Sequence, residues 1–173
     1  READERPAIR ARGEHQAHWR TISRRELHEM VGAAAEAMRQ AGVVEGDRVV
    51  GYLPNIPETI VAMLAASTLG AIWSSCSPDF GVRGVLDRFE RLEPKLLVCC
   101  DGYAYGGKRI DCRPRTAEIL EALAKTTASA PQVVMIPFLD PDATTEVLPD
   151  AVRWDDFLQQ GEGVPPDLTP APF

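Results

Sequence analysis

The segment Gly102-Tyr103-Ala104-Tyr105-Gly106-Gly107-Lys108 fills the first seven positions of the phosphate-binding pattern G-x-x-x-x-G-K, directly after an apolar run that reads as a β-strand. In such a loop the glycine backbone N–H groups surround phosphate oxygens and the lysine supplies a point charge. Two features break the pattern. Position 109 is arginine where Ser or Thr would hold magnesium, and Asp111 to Pro114 argue against an immediate helix whose dipole could face the phosphates. A weaker chemistry survives: a glycine turn permits close backbone approach, and Lys108 with Arg109 adds two positive charges that could meet a phosphate. The plainer alternative, which spacing alone favours, is an exposed loop with solvated bases.

Other chemistries find less support. No G-x-G-x-x-G follows a predicted strand, and no G-x-S-x-G nucleophile elbow occurs. Ser74, Ser75 and Ser77 surround Cys76 with no histidine tied to them by pattern, so Cys76 reads as a packed thiol after a strand. Asp79 and Asp87 form a candidate acid pair whose plain reading is one loop acid and one helix-surface acid. The four cysteines, Cys76, Cys99, Cys100 and Cys112, lack C-x-x-C spacing and read as reduced core thiols. His15, His18 and His28 join no cluster at zinc-like spacing, so neither a metal site nor a catalytic residue is assigned.

These residues must be positioned by an alternation of strands and helices. Pro7 to Arg12 and His18 to Ile22 read as two short strands around the turn Gly13-Glu14. Ser23 then stands at an N-cap with Glu26 three residues on, ahead of a helix whose apolar face runs from Leu27 to Ala41 and which Gly42 ends. Strands are expected at Arg48 to Tyr52, Ala71 to Ser74, Lys95 to Cys100 and Gln132 to Ile136. The helices between them are Thr59 to Leu69 (introduced by Pro57 and apolar nearly all round), Val82 to Leu92, and Thr116 to Lys125. Parallel crossovers need about a dozen residues or more, so this rhythm predicts an α/β fold with a mostly parallel sheet flanked by helices. Residues 1–139 make the α/β subdomain, and 140–173 read as a Pro-rich acidic linker with one short helix at Trp154 to Leu158.

Composition bounds the function. A chain of 173 residues, 45% hydrophobic and 26% charged, has the usage of an ordinary globular domain. Its net charge of −7 with no basic patch speaks against nucleic acid or anionic membranes as partners. The apolar windows are shorter than the ~20 residues of a membrane span. The start, Arg1 to Arg6, has no apolar core of a signal peptide, so a cytoplasmic location is expected.

Gly46-Asp47-Arg48-Val49-Val50-Gly51-Tyr52-Leu53-Pro54-Asn55, with Ala62 to Ala66 and Leu69 to Ser75, resembles the early N-terminal domain of adenylate-forming enzymes. The narrower run Trp73 to Gly81, with Val85 to Phe89 and Pro94-Lys95-Leu96, is similar to the acetoacetyl-CoA synthetase branch of that family. The resemblance spans about Ile22 to Pro137. It implies ATP-dependent ligation in two halves: acetoacetate attacks ATP to give an acyl-adenylate and pyrophosphate, and the CoA thiol then displaces AMP. ATP and CoA would be co-substrates with Mg2+ in the full-length enzyme, and none of them is expected on this piece alone. The family's Ser/Thr/Gly-rich phosphate loop ending in Pro-Lys and its later motifs are not found in these residues, so the chain reads as an N-terminal fragment, inactive by itself. In related acetyl-CoA synthetases an Arg-x-Gly-Arg segment touches the CoA nucleotide phosphates. The resemblance carries that role to Tyr105, Gly106, Gly107 and Lys108, with Tyr105 and Lys108 in place of the arginines. It also puts the Ser77 to Gly81 loop near the CoA path. A lysine gives a point charge where a guanidinium would give two bonds, so looser phosphate recognition is implied. The alternative is a non-catalytic α/β module that binds a nucleotide, CoA or a protein. Apolar helix faces left without neighbours predict self-association of the chain.

Overall fold

The computed structural model describes residues 4–148 and 150–161. A hairpin of β1 (Pro7–Ala11) and β2 (Arg20–Ser23) leads into α1 (Arg24–Gln40). The predicted capping box is present: the Ser23 hydroxyl accepts from the Glu26 N–H at 3.2 Å, and the Ser23 N–H donates to the Glu26 carboxylate at 2.7 Å. Chain order continues with β3 (Arg48–Tyr52), α2 (Pro57–Thr68), β4 (Ile72–Cys76), α3 (Val82–Phe89) and β5 (Leu96–Cys100). It is completed by β6 (Gly102–Tyr105), β7 (Lys108–Asp111), α4 (Arg113–Thr126), β8 (Gln132–Ile136), β9 (Val152–Arg153) and α5 (Trp154–Gly161).

The central sheet has the order β4-β3-β5-β8-β9, and every pairing in it is parallel. Alternating side chains divide the core into two layers. Val49, Leu96, Val98, Val134 and Ile136 pack with α1, α2 and α5, including Trp154 and Phe157. Val50, Tyr52, Leu97, Cys99, Val133 and Met135 pack with α3 and α4, through Val85, Phe89, Ile119 and Leu123. Burial on both faces is why β5 reads as an unbroken apolar run. Each such side chain contributes about 1.5–3 kcal/mol on leaving water.

Several sequence expectations are corrected. A helix does follow Asp111 at once: α4 begins at Arg113 with Pro114 in its first turn, where the missing N–H has no helical partner to lose. The stretch expected as an exposed glycine loop is an antiparallel hairpin, β6 with β7. Helix α3 stops at Phe89, and Glu90–Leu92 form a single 3-10 turn before Glu93 turns left-handed at φ 46° ahead of Pro94. Helix α2 buries one face only and leaves Met63 and Ser67 exposed. In the stretch read as a linker with one short helix, that helix is α5, with Trp154 and Phe157 buried against the core; what the linker reading missed is β9, which extends the sheet beside β8, and the burial of Ala143 and Leu148. Its remainder, 162–173, lies outside the described residues.

Candidate functional site

In an all-parallel sheet every strand delivers its following segment to the same edge. Here β3 crosses to β4 on one side, whereas β5 crosses to β8 on the other. The connections diverge between β3 and β5, and open α/β sheets hold their ligands at such a point, beyond the carboxyl ends of the strands. The segments that converge there are Leu53 to Ile56 after β3, Ser77 to Gly81 after β4, the β6–β7 hairpin after β5, and Pro137 to Asp140 after β8.

The hairpin owes its shape to Gly106 and Gly107, with φ of 57° and 75°, between the paired residues Tyr105 and Lys108. Two successive left-handed residues match the right-handed twist of the flanking strands, as in a type I′ turn. At the hairpin's root Gly102 lies so close to the Ile110 carbonyl that a Cβ would collide with it. The buried Asp101 carboxylate fixes the root, accepting from the backbone N–H groups of Phe138 at 2.8 Å, Leu139 at 2.9 Å and Asp140 at 2.8 Å. Arg109, whose charge beside Lys108 could have met a phosphate, donates to the Leu139 carbonyl at 2.7 Å. The Lys108 side chain has no hydrogen-bond or ion-pair partner among the described residues, and Tyr105 beside it is 71% exposed. Glu14 reaches the tip from the β1–β2 connection and accepts from the Gly107 N–H at 3.4 Å. The four residues singled out from sequence, Tyr105, Gly106, Gly107 and Lys108, thus form one exposed tip that carries one cation outside any ion pair and has the Glu14 carboxylate beside it. Because β7 intervenes, α4 begins at the far end of the hairpin and its dipole does not address that tip.

On the other side of β3 the Ser77 to Gly81 loop is tied from below. The Tyr52 hydroxyl shares its proton between the carbonyls of Pro78 (2.9 Å) and Phe80 (2.8 Å). Arg115 of α4 donates to the Pro78 carbonyl at 2.9 Å and reaches the Tyr52 oxygen at 3.4 Å. Burial pushes the Tyr52 phenol up to about 12, with Arg115 opposing the shift. Neither Tyr52 nor Arg115 was singled out from sequence.

A cavity of about 350 Å³ opens beside the hairpin's root, lined by Arg12, His15, Asn55, Glu58, Tyr103 and Phe138 among others. Glu58 in its wall is ion-paired with Arg20. His15 packs edge-on against Phe138 at 4.7 Å and bonds the Phe138 carbonyl through Nε2 at 3.1 Å. The cysteines are all buried and unbridged. Burial pushes the Cys76 and Cys99 thiols up, and contact with Cys112 together with burial does the same to Cys100, so none of these three is poised as a thiolate. Cys112, at the start of α4, is pulled down chiefly by the Cys100 thiol, but it is equally buried. Asp79 and Asp87 are both exposed. Among the described residues no group of three or more His, Cys, Asp or Glu side chains could hold a metal ion. No helix among them is long and apolar enough to cross a membrane.

A family model described as "AMP-binding enzyme" matches residues 1–171. Acetoacetyl-CoA synthetase of Mus musculus is 46% identical over 140 residues, covering 80% of this chain and 20% of that protein. Acetoacetyl-coenzyme A synthetase of Rhizobium meliloti is 40% identical over 167 residues, 96% of this chain and 25% of that protein. The solved acetoacetyl-CoA synthetase from Streptomyces lividans superposes with a TM-score of 0.78 at 41% identity, over 90% of this chain and 22% of that one. The chain therefore spans a quarter or less of the length of these relatives.

Proposed function

This chain belongs to the AMP-binding enzyme family, and we propose that it is the N-terminal portion of an ATP-dependent acetoacetyl-CoA synthetase that supplies one wall of the CoA channel. The reaction of the whole enzyme would convert acetoacetate, ATP and CoA into acetoacetyl-CoA, AMP and pyrophosphate, in the cytoplasm and with Mg2+ accompanying the ATP. The observation that carries the CoA part of the reading is the hairpin tip, where an unpaired lysine follows two glycines at the ligand-facing edge of a parallel sheet. A nucleotide phosphate can approach the side-chain-free turn of Gly106 and Gly107, displacing the Glu14 carboxylate from the Gly107 N–H, and meet the Lys108 ammonium. One point charge on an exposed tip supports weak binding, so the full affinity is assigned to the complete enzyme.

By itself the chain has no catalytic residue in this reading. Adenylation needs cationic and backbone donors around the transferring phosphate, and thioester formation needs a thiol brought in line with the adenylate carbonyl. The chain alone, given acetoacetate, ATP and CoA, is expected to form no thioester. The decisive measurement is calorimetric titration with CoA beside a Lys108→Ala variant. Binding that falls at least several-fold in the variant supports the reading, and binding that ignores the substitution sinks it. The exposed Met63 of α2 and Ile72 of the edge strand β4 further lead us to propose that the chain self-associates. Light scattering that reports a monomer across concentration would refute this.

A further inference from the structure

We propose that Tyr52 and Arg115 are a positioning pair that sets the shape of the Ser77 to Gly81 loop so that it grips the part of CoA beyond its nucleotide. The inference rests on the CoA reading above. It starts from a hydroxyl that the core does not need. Tyr52 is fully buried in the sheet layer with Val50, Leu97 and Met135, where a phenylalanine would fill the same volume without a polar atom to satisfy. All the hydrogen bonds of that hydroxyl go to one loop and to the arginine that holds the same loop.

The consequence for the loop follows from peptide geometry. A trans peptide points its C=O and the next N–H in opposite directions. Drawing the carbonyls of Pro78 and Phe80 down onto Tyr52 and Arg115 therefore turns the N–H groups of Asp79 and Gly81 to the opposite side of the loop, where neither has a partner among the described residues. The turn is closed by the Phe80 N–H on the Ser77 carbonyl at 3.1 Å, and the Arg88 guanidinium covers the Phe80 ring at 5.0 Å. The loop and the hairpin leave the same carboxyl edge of the sheet, from the strands on either side of β3, and Arg115, close after the end of β7, bonds the loop directly. A ligand tied by its phosphate to Lys108 must extend from the tip. The pantetheine arm of CoA carries amide carbonyls suited to free N–H donors, whereas the nucleotide end is already engaged at the hairpin.

The test compares CoA with adenosine 3′,5′-bisphosphate, which has the nucleotide phosphates and no arm, by calorimetry on the 173-residue chain. Arg115→Met and Tyr52→Phe are each expected to weaken CoA binding about tenfold, the equivalent of one or two lost loop-ordering hydrogen bonds, and to leave the bisphosphate within about twofold. Lys108→Ala should weaken both probes. Arg115→Lys should recover most of the loss, since an ammonium can still donate to the Pro78 carbonyl. Two results overturn the positioning pair while leaving the CoA reading intact, provided Lys108→Ala still weakens binding: unchanged CoA affinity in Arg115→Met, or equal losses for CoA and bisphosphate, which would mark a general structural role. Absence of CoA binding by the unaltered chain overturns both.

Discussion

The five-stranded sheet and the hairpin that leaves its carboxyl edge are neighbours in the chain, and they are held by different forces. Strand β5 is buried on every residue and is kept in place by apolar packing on two faces. One residue later the chain enters β6 and β7, whose tip is exposed and whose shape depends on two left-handed glycines and a carboxylate at the root. Packing tolerates exchange of one apolar residue for another of similar volume, whereas a turn built from positive φ tolerates almost nothing but glycine. Lys108, the cation proposed to meet a phosphate, sits where packing exerts no hold, so it contributes little to stability.

The largest effect separating the two regions should come from the sheet. Leu97→Ala removes a fully buried side chain between α3 and α4 and is expected to cost about 3 kcal/mol, measured by urea unfolding. Asp101→Ala strikes the seam: it strands three backbone N–H groups and should cost about 2–3 kcal/mol, with hydrogen-exchange protection lost first at Phe138 to Asp140. A smaller change is expected at the tip, where Gly107→Ala at φ 75° should cost about 1 kcal/mol and weaken CoA binding by distorting the turn. Equal costs at Leu97 and Gly107 would break the comparison.

Tyr52, in the sheet beneath the Ser77 to Gly81 loop, gives a pH test. Its ionisation lies near 10 in the unfolded chain and near 12 in the fold, so its stabilising effect is complete below pH 10 and declines as pH rises toward 12. Tyr52→Phe should flatten that alkaline limb relative to the parent, and parallel limbs would mean that the phenol ionises without resistance. Least of all, Glu14→Gln should leave stability within about 0.5 kcal/mol while modestly tightening CoA binding, because the carboxylate beside Gly107 competes for the same backbone donor.

What could be read in the sequence follows the same division. The capping box at Ser23, the unbroken apolar run of β5 and the amphipathic face of α3 are local patterns with one physical solution each, and the parallel α/β sheet follows from their rhythm. The hairpin was hidden by a glycine pattern shared with phosphate loops. Read instead as Gly-Gly between pairable short strands, it was a hairpin signal present in the residues. Arg109 could not be separated from Lys108 by sequence, since only the fold brings the Leu139 carbonyl within its reach. The Tyr52 and Arg115 contacts were equally invisible: 63 residues separate the two, and the loop they share is set by neither neighbour in sequence. Strand β9 is two residues long and leaves no periodicity to detect.

The hairpin also has a consequence for how the chain reaches its native state. To pair β5 with β8 the polypeptide must close everything from Asp101 to Pro131, and closure entropy grows with the length left floppy. A two-residue glycine turn lets β6 and β7 zip on the microsecond scale, before any parallel pairing. The zipped hairpin brings Gly102 next to Asp111 and removes its own span from the search. The segment proposed to meet CoA thus also acts as a kinetic shortcut, and substitutions at its tip should slow refolding more than they speed unfolding.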